Sequence, residues 1–323
     1  MDEKISFLIN PISGGGEGRR ILSYIPQIMQ SLEISHNRWI AELTDPEHLN
    51  SQMDRMLNRG GRLIAVGGDG TMTAVLNRAL QSKQQSTLLG LIPLGTGNDL
   101  ARAMGIYRNY MEKGLVNTIR KLLWTQGRFF DLWSVNKQWT MGAYLSVGLD
   151  AKIAKDFNED RKAGKIPGKS VWLNKAYYIK VFARLRKHRL PVGSSVTWVD
   201  HQGRAKQQDL AGRRSFILGN IPSYAGGANP FRGVNYQDEL LEVVLVRSFW
   251  QFIGCILTNV SRTYSSFFTR FIVPTAHAKS VCLKLPANAF VQVDGEDFTS
   301  KLAGGEVEIS FGGKVQLLVL DPW

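Results

Sequence analysis

Apolar and polar positions change their rhythm part-way along the chain. In the first 126 residues, short apolar runs alternate with stretches of helical spacing. Ile5–Ile9 is rich in β-branched residues and stops at Asn10-Pro11. Gly14-Gly15-Gly16 then lead into a helical pattern from about Gly18 to Leu32. Arg38–Ala41 predicts a second strand and Pro46–Arg59 a helix. Arg62–Val66 has the continuous apolar character of a strand buried on both faces. It ends in Gly67-Gly68-Asp69-Gly70-Thr71, and helical spacing follows over Met72–Leu80. Leu88–Ile92 is another strand, closed by Pro93-Leu94-Gly95-Thr96-Gly97-Asn98-Asp99. Helices are predicted over Leu100–Met104 and Val116–Trp124. Strands alternating with helices imply a doubly wound α/β domain with a parallel sheet.

From Gly127 onward the runs shorten. Strands are predicted at Phe129–Val135, Trp139–Val147, Ser195–Val199, Ser215–Leu218, Leu241–Val246, Ser280–Leu285, Phe290–Val293, Val307–Phe311 and Val315–Leu320. Many short strands with glycine-rich turns imply a mostly antiparallel β-sandwich. Val171–His188 is the main helical exception. The expected division is 1–126 for the α/β domain and 127–323 for the β-rich domain, whose last strand could return to the first.

Composition narrows the function classes. Of 323 residues, 44% are hydrophobic and 21% charged, which excludes wholesale disorder. Only Cys255 and Cys282 are present, so a disulfide scaffold is excluded and a reducing compartment expected. The five histidines (36, 48, 188, 201, 277) show no metal-ligand spacing. Met1-Asp2-Glu3 lacks the positive start of a secretory leader. The apolar stretch Leu240–Val260 is broken by Glu242, Arg247, Gln251 and Asn259, too often for a bilayer span of ~20 residues. A cytoplasmic protein is expected. The net charge is +13, and residues 152–214 carry +11 of it (16 Lys/Arg against 5 Asp/Glu). Such a field attracts anionic surfaces. A solvated face that aids solubility is the other explanation. No DNA- or RNA-reading motif accompanies it, so no nucleic-acid partner is expected.

Chemistry concentrates in three turns at strand ends, where open α/β sheets bind ligands. In Gly67–Thr71 the glycines allow backbone to approach a phosphate, and the following helix offers N–H groups to an anion. Asp69 belongs beside phosphate only with a divalent cation between them, or when it takes a proton; a simple turn with an Asp cap is the alternative. Gly95–Asp99 repeats the placement one strand later, with Thr96 and Asn98 able to bond phosphate or ribose, or to cap the next helix. Asn10-Pro11-Ile12-Ser13-Gly14 is the third turn. Neither the Walker A spacing nor G-x-G-x-x-G is present.

These motifs resemble the diacylglycerol kinase catalytic-domain family of lipid kinases. Gly67–Thr71 is similar to its nucleotide-binding signature, Asn10-Pro11 with Ser13-Gly14 to its first turn, and Gly95-Thr96-Gly97-Asn98-Asp99 to its second glycine loop. The likeness continues through Ser146-Val147-Gly148-Leu149-Asp150-Ala151, Asn174-Lys175 with Tyr178, Asn220-Ile221-Pro222-Ser223-Tyr224-Ala225-Gly226-Gly227, Leu240–Val244 and Gln292-Val293-Asp294-Gly295-Glu296. Ser146–Ala151 looks like the family's accessory-domain entry, and the motifs from Asn174 onward look like those of eukaryotic-type diacylglycerol kinases. Where many members have Asp-Gly-Leu-Leu, this chain has Asp238-Glu239-Leu240-Leu241.

The resemblance implies a two-domain lipid kinase using ATP and Mg²⁺, with diacylglycerol as acceptor; a sphingoid base, ceramide or monoacylglycerol is the rival substrate. A non-catalytic basic membrane-binding protein on the same fold is the other rival. Asn10, Pro11, Ser13, Gly14, Thr44, Gly67, Gly68, Asp69, Gly70, Thr71, Gly95, Thr96, Gly97, Asn98 and Asp99 would contact the nucleotide. Asp294, with Glu296 nearby, would be the base, Asp69 being the alternative; an Asp-Gly hairpin turn is the other explanation of Asp294. Asp238, the Leu240 carbonyl and Glu242 resemble a second metal site, or are simply acids flanking a strand. Thr44 could instead cap the next helix. The basic segment, through Val171–His188, implies peripheral association with an anionic membrane surface. Oligomeric state is not legible.

Overall fold

The computed structural model describes residues 3–82, 86–164, 184–185, 187–231, 233–257 and 276–320. The chain divides into two compact units, Met1–Leu132 with Gly312–Trp323, and Trp133–Phe311.

The first unit is built on parallel strands β1 (Ile5–Ile9), β2 (Trp39–Leu43), β3 (Arg62–Gly67) and β4 (Leu88–Pro93), in the order β2-β1-β3-β4. Every residue of β1 and β3 is buried, as expected for strands covered on both faces. Helices α1 (Glu17–Ser31), α2 (Leu49–Arg59), α3 (Asp69–Gln81), α4 (Asp99–Ala103) and α5 (Ile106–Trp124) connect them. In α1 the buried residues Ile21, Ile25, Ile28 and Met29 recur at helical spacing and form one apolar face. Helix α5 begins ten residues earlier than its apolar pattern predicts. Gly114, in a left-handed conformation (φ 74°), breaks the helix and with it the periodicity. The parallel topology places the turns after β1, β3 and β4 at the same, carboxyl edge of the sheet.

The second unit is mostly antiparallel. Strands β7 (Tyr144–Gly148), β10 (Ser215–Gly219), β11 (Leu241–Val246), β12 (Ala276–Leu285), β13 (Val291–Val293) and β14 (Glu296–Asp297) run in the order β14-β13-β7-β10-β11-β12. The β8 (Ser195–Asp200) and β9 (Ala205–Asp209) hairpin pairs with β12, and a register shift at Ala278/Ser280 bends β12. Strand β5 (Gly127–Val135) pairs through Trp133 with β6 (Trp139–Met141). Its core includes Trp133, Leu145, Val147, Phe216, Leu218, Leu241 and Leu283. Helices α6 (Leu149–Lys162), α7 (Phe249–Leu257) and α8 (Thr299–Leu302) complete the described elements. β15 (Gly305–Leu318) pairs with β12 over Gly305–Ser310 and, in the first unit, with β4 through Gln316 and Leu317.

Several local expectations are corrected. The single strand predicted over Trp139–Val147 is two, β6 and β7, because Gly142 and Ala143 turn their N–H groups to a side chain rather than to a ladder. Conversely, Val307–Phe311 and Val315–Leu318 belong to one strand, β15, since the glycines between them continue the extended path, and the strand stops two residues short of the predicted end at Leu320. Strand β9 is polar after Ala205 and mostly exposed, and escapes a search for apolar alternation. Helix α6 was not legible either, because its sequence is mostly charged. The helix predicted over Val171–His188 lies largely outside the described residues, as do Asn174, Lys175 and Tyr178. Among the described residues no helix is long and apolar enough to cross a membrane.

Candidate functional site

In the first unit the three glycine-bearing turns interlock. Asn10, just past β1, accepts the Ile12 N–H with its side-chain oxygen and donates its amide to Thr71 Oγ1 at 3.2 Å. Its backbone N–H donates to Val66 O. Gly14 packs against Leu94, since a Cβ there would lie 3.4 Å from the Leu94 side chain. Gly68 and Gly95 face each other. A Cβ on Gly68 would stand 3.1 Å from Gly95 Cα, and one on Gly95 would stand 2.7 Å from Gly68 Cα. Only glycine allows backbones this close. Pro11, Ser13 and Gly14 form the turn before α1, whose Ser13–Gly15 segment is a single 3-10 turn.

Asn98 holds the second loop. It is buried, sits in the left-handed region (φ 52°), accepts the Gly95 N–H at 2.9 Å and donates to Gly95 O at 2.7 Å. Gly95 and Thr96 are exposed and Gly97 is half-buried. Thr44 extends β2 by donating its N–H to Ile9 O; the residue capping α2 is His48, so Thr44 is not the cap of that helix. Asp69, Gly70 and Thr71 form the first turn of α3, where the Thr71 N–H bonds Gly68 O at 3.1 Å and the positive end of the helix dipole favours an anion.

Asp69 gives this edge its electrostatics. Burial, and after it the neighbouring Asp99 carboxylate, raise its carboxyl from 3.8 to about 7 against the opposing N–H groups of residues 98–100. The two acids flank Gly97: a Cβ there would lie 3.0 Å from Asp69 Oδ2 and 3.5 Å from Asp99 Oδ2. Two crowded carboxylates beside an anion-binding helix end fit a divalent cation, which Asp69 and Asp99 would hold and which would relieve their repulsion. Among the described residues no group of three or more His, Cys, Asp or Glu side chains gathers as a ready metal cage. A cation here would need substrate oxygens as well.

In the second unit Asp294 and Gly295 form the two-residue turn of the β13–β14 hairpin, both with positive φ (50° and 85°). This is the type I′ geometry that Asp-Gly favours. The Asp294 carboxylate is buried and accepts three backbone N–H bonds, from Gly142 at 2.9 Å, Ala143 at 2.8 Å and Tyr144 at 2.9 Å. Glu296 is exposed across the turn. Asp238 is exposed and accepts the Leu240 N–H at 3.1 Å. Glu242 is 1% exposed with Oε2 unpartnered, and burial, then Asp238, pushes its carboxyl from 4.5 up to about 8. An orphaned, buried carboxylate oxygen fits a hard cation or a proton equally. Asp69 and the glycine turns thus belong to the first unit, and Asp294, Glu296, Asp238, Leu240 and Glu242 to the second.

The structure adds residues that sequence reasoning missed. Asp131 is fully buried in β5, with Lys314 Nζ 3.6 Å from Oδ1. The available signal was an acid inside an apolar run. Arg102 reaches back to Gly97 O at 2.9 Å and stacks 3.7 Å above the Tyr107 ring centroid, bracing the second glycine loop. Part of the basic segment is spent locally: Lys152 and Arg184 pair with Asp156, and Arg204 and Lys206 with Asp200. Burial pushes the Cys255 thiol up to about 12, so it is inert.

Comparison with known proteins agrees with this arrangement. Residues 4–127 match the diacylglycerol kinase catalytic domain and residues 140–297 the diacylglycerol kinase accessory domain. The eye-specific diacylglycerol kinase of Drosophila melanogaster is 30% identical over 273 residues, 73% of this chain and 18% of that protein. Human diacylglycerol kinase theta is 25% identical over 350 residues, 96% of this chain and 34% of that protein. The chain therefore spans only 18% and 34% of these two curated relatives. A crystal structure of a diacylglycerol kinase from Bacillus anthracis has the same fold, with a TM-score of 0.65, 20% identity, and coverage of 98% of this chain and 97% of that one. With both halves of its sequence matched in order, the chain belongs to the diacylglycerol kinase family.

Proposed function

We propose that this chain is an ATP-dependent lipid kinase that phosphorylates the hydroxyl of diacylglycerol, giving phosphatidic acid. The observation that carries the reading is the close apposition of Gly68 and Gly95 beside Asp69 at the start of α3. Such an edge presents a helix N-terminus, the acids Asp69 and Asp99 and a close glycine pair, which suits the phosphates of a nucleotide with its cation. Asn10, Thr71 and Asn98 keep the turns in register, and Gly67–Thr71 with Gly95–Asp99 cradle the phosphates. Asp69, beside Asp99, would hold Mg²⁺, which supplies charge neutralisation at the phosphate oxygens. Asp238, Leu240 and Glu242 are candidates for a second, structural cation.

In the transfer, the bond between the γ-phosphorus and the β–γ bridging oxygen breaks, and a bond from that phosphorus to the lipid oxygen forms. The hydroxyl proton passes to Asp294, with Glu296 beside the same turn. Three N–H bonds fix the direction of the Asp294 carboxylate. The acceptor lies in a bilayer. Exposed Trp250 (71%) and Val192 (89%) on the second unit, with the net positive charge, support peripheral association with an anionic surface.

The test is phosphorylation of lipid extracts with γ-labelled ATP by the purified chain, products being separated by chromatography. Label in phosphatidic acid is expected, with no product from Asp69→Asn and loss of turnover at retained ATP affinity for Asp294→Asn. Label in another lipid would move the substrate assignment, and no label in any lipid would reject the kinase reading. Co-sedimentation with anionic but not neutral vesicles, weakened by salt, is the matching membrane test.

A further inference from the structure

Three segments far apart in sequence meet at one buried carboxylate of the second unit. Asp150, in the first turn of α6, is 3% exposed. Its Oδ2 accepts the hydroxyl of Tyr224, and also the Gln292 side-chain amide at 3.0 Å. The same Gln292 amide donates to Ser146 Oγ at 2.8 Å, and Ser146 is its direct cross-strand partner between β13 and β7. Ser146, Gln292 and Tyr224 are all at least 96% buried. Oδ1 of Asp150 has no hydrogen-bond partner.

The elements joined here are those that carry Asp294. Gln292 stands two residues before it on β13. Tyr144, whose N–H binds the Asp294 carboxylate, packs its ring edge-on against Tyr224 with centroids 4.9 Å apart. Tyr224 lies in the 220–228 turn, where Ala225, Gly226 and Gly227 all have positive φ. The other end of that turn is tied to the same place: Asn220 donates to Gly142 O at 2.7 Å, and its oxygen accepts the Trp133 indole N–H at 3.0 Å. Gly142 is also an N–H donor to Asp294. A buried acceptor whose donors come from two different segments ties those segments to each other, because releasing either donor leaves polar groups unpaired.

We infer that Asp150 is a positioning residue for phosphoryl transfer, fixing the Asp294 hairpin through Gln292 and the 220–228 turn through Tyr224. This rests on the assignment of Asp294 as the proton acceptor. Asp150 itself is too deeply buried to touch substrate.

The test compares Tyr224→Phe, Gln292→Met, Asp150→Asn and Asp150→Leu in the full chain, with Asp294→Asn alongside. Turnover, KM for ATP and Tm are read for each. Tyr224→Phe and Gln292→Met are expected to lower kcat about 10- to 100-fold with KM for ATP unchanged, since small misplacements of a reacting group have costs of that size. Asp150→Asn, whose amide oxygen can accept both donors, is expected to retain most of the turnover that Asp150→Leu loses. Wild-type kcat in Tyr224→Phe and Gln292→Met, with only Tm lowered, would overturn the inference while leaving Asp294 untouched. Asp150→Asn as inactive as Asp150→Leu would overturn it too, by assigning the effect to charge. Full turnover by Asp294→Asn would remove the base assignment and this inference together.

Discussion

Gly68 and Gly95 stand back to back across two loops, with room for a Cβ on neither. On Gly95 the added carbon would meet Gly68 Cα at 2.7 Å and Asn98 Oδ1 at 2.9 Å, whereas on Gly68 the nearest atom would be at 3.1 Å. Gly95→Ala is therefore expected to be the worse substitution. It should cost about 1–3 kcal/mol of stability, the usual range for overpacking, and weaken nucleotide binding. Gly68→Ala should cost less. Thermal unfolding with calorimetric titration of MgATP ranks the two, and equal effects would contradict the geometry.

Asp69 predicts a pH dependence with a definite sign. The folded state keeps this proton up to about pH 7, while the unfolded chain loses it near 3.8. The folded state therefore binds more protons between these values. The stability that this group contributes is fully present below about pH 4 and lost as pH rises through 7. Asp69→Asn should raise Tm at pH 8 and flatten this part of the Tm–pH curve. Affinity for MgATP should rise over the same window in the unsubstituted chain, because a cation competes with the proton, and that rise should vanish in Asp69→Asn.

Glu242 has the same sign at higher pH, with a carboxyl displaced from 4.5 to about 8 and an unpartnered Oε2. In chelator, Glu242→Gln should be more stable than the unsubstituted chain at pH 9 and nearly equal to it at pH 5. Millimolar Mg²⁺ should raise Tm of the unsubstituted chain at pH 8 and leave Glu242→Gln unmoved if the site takes a cation. Equal Mg²⁺ responses would assign the buried acid to a proton instead.

Glu239 occupies the left-handed region at φ 58°, where glycine is the unstrained residue. A side chain there costs roughly 1–2 kcal/mol, partly offset by the greater freedom of an unfolded glycine. Glu239→Gly should raise stability by about 0.5–1 kcal/mol, measured by denaturant midpoint. A lower midpoint would mean that contacts of the Glu239 side chain outweigh the backbone strain.

The legible parts of this molecule are those set by neighbouring residues. The turns after β1, β3 and β4 announce themselves because glycine, proline and asparagine are needed locally for sharp backbone reversals and positive φ, as at Gly14 and Asn98. The parallel half follows from continuous apolar strands alternating with amphipathic helices. The Asp294-Gly295 hairpin was equally visible, and both explanations of it were open because a turn residue and a buried acceptor carry the same sequence signature.

Local pattern alone thus decided where the backbone must bend and which acids stand beside those bends. Packing between distant segments decided what each acid does. The three N–H donors of Asp294, the burial of Glu242, the placing of Asp131 against Lys314 and the meeting of Asp150 with Gln292 across 142 residues all depend on partners that no nearby residue specifies. Desolvation and hydrogen-bond supply are set by the atoms around a group in space, and hydrophobic periodicity does not record them.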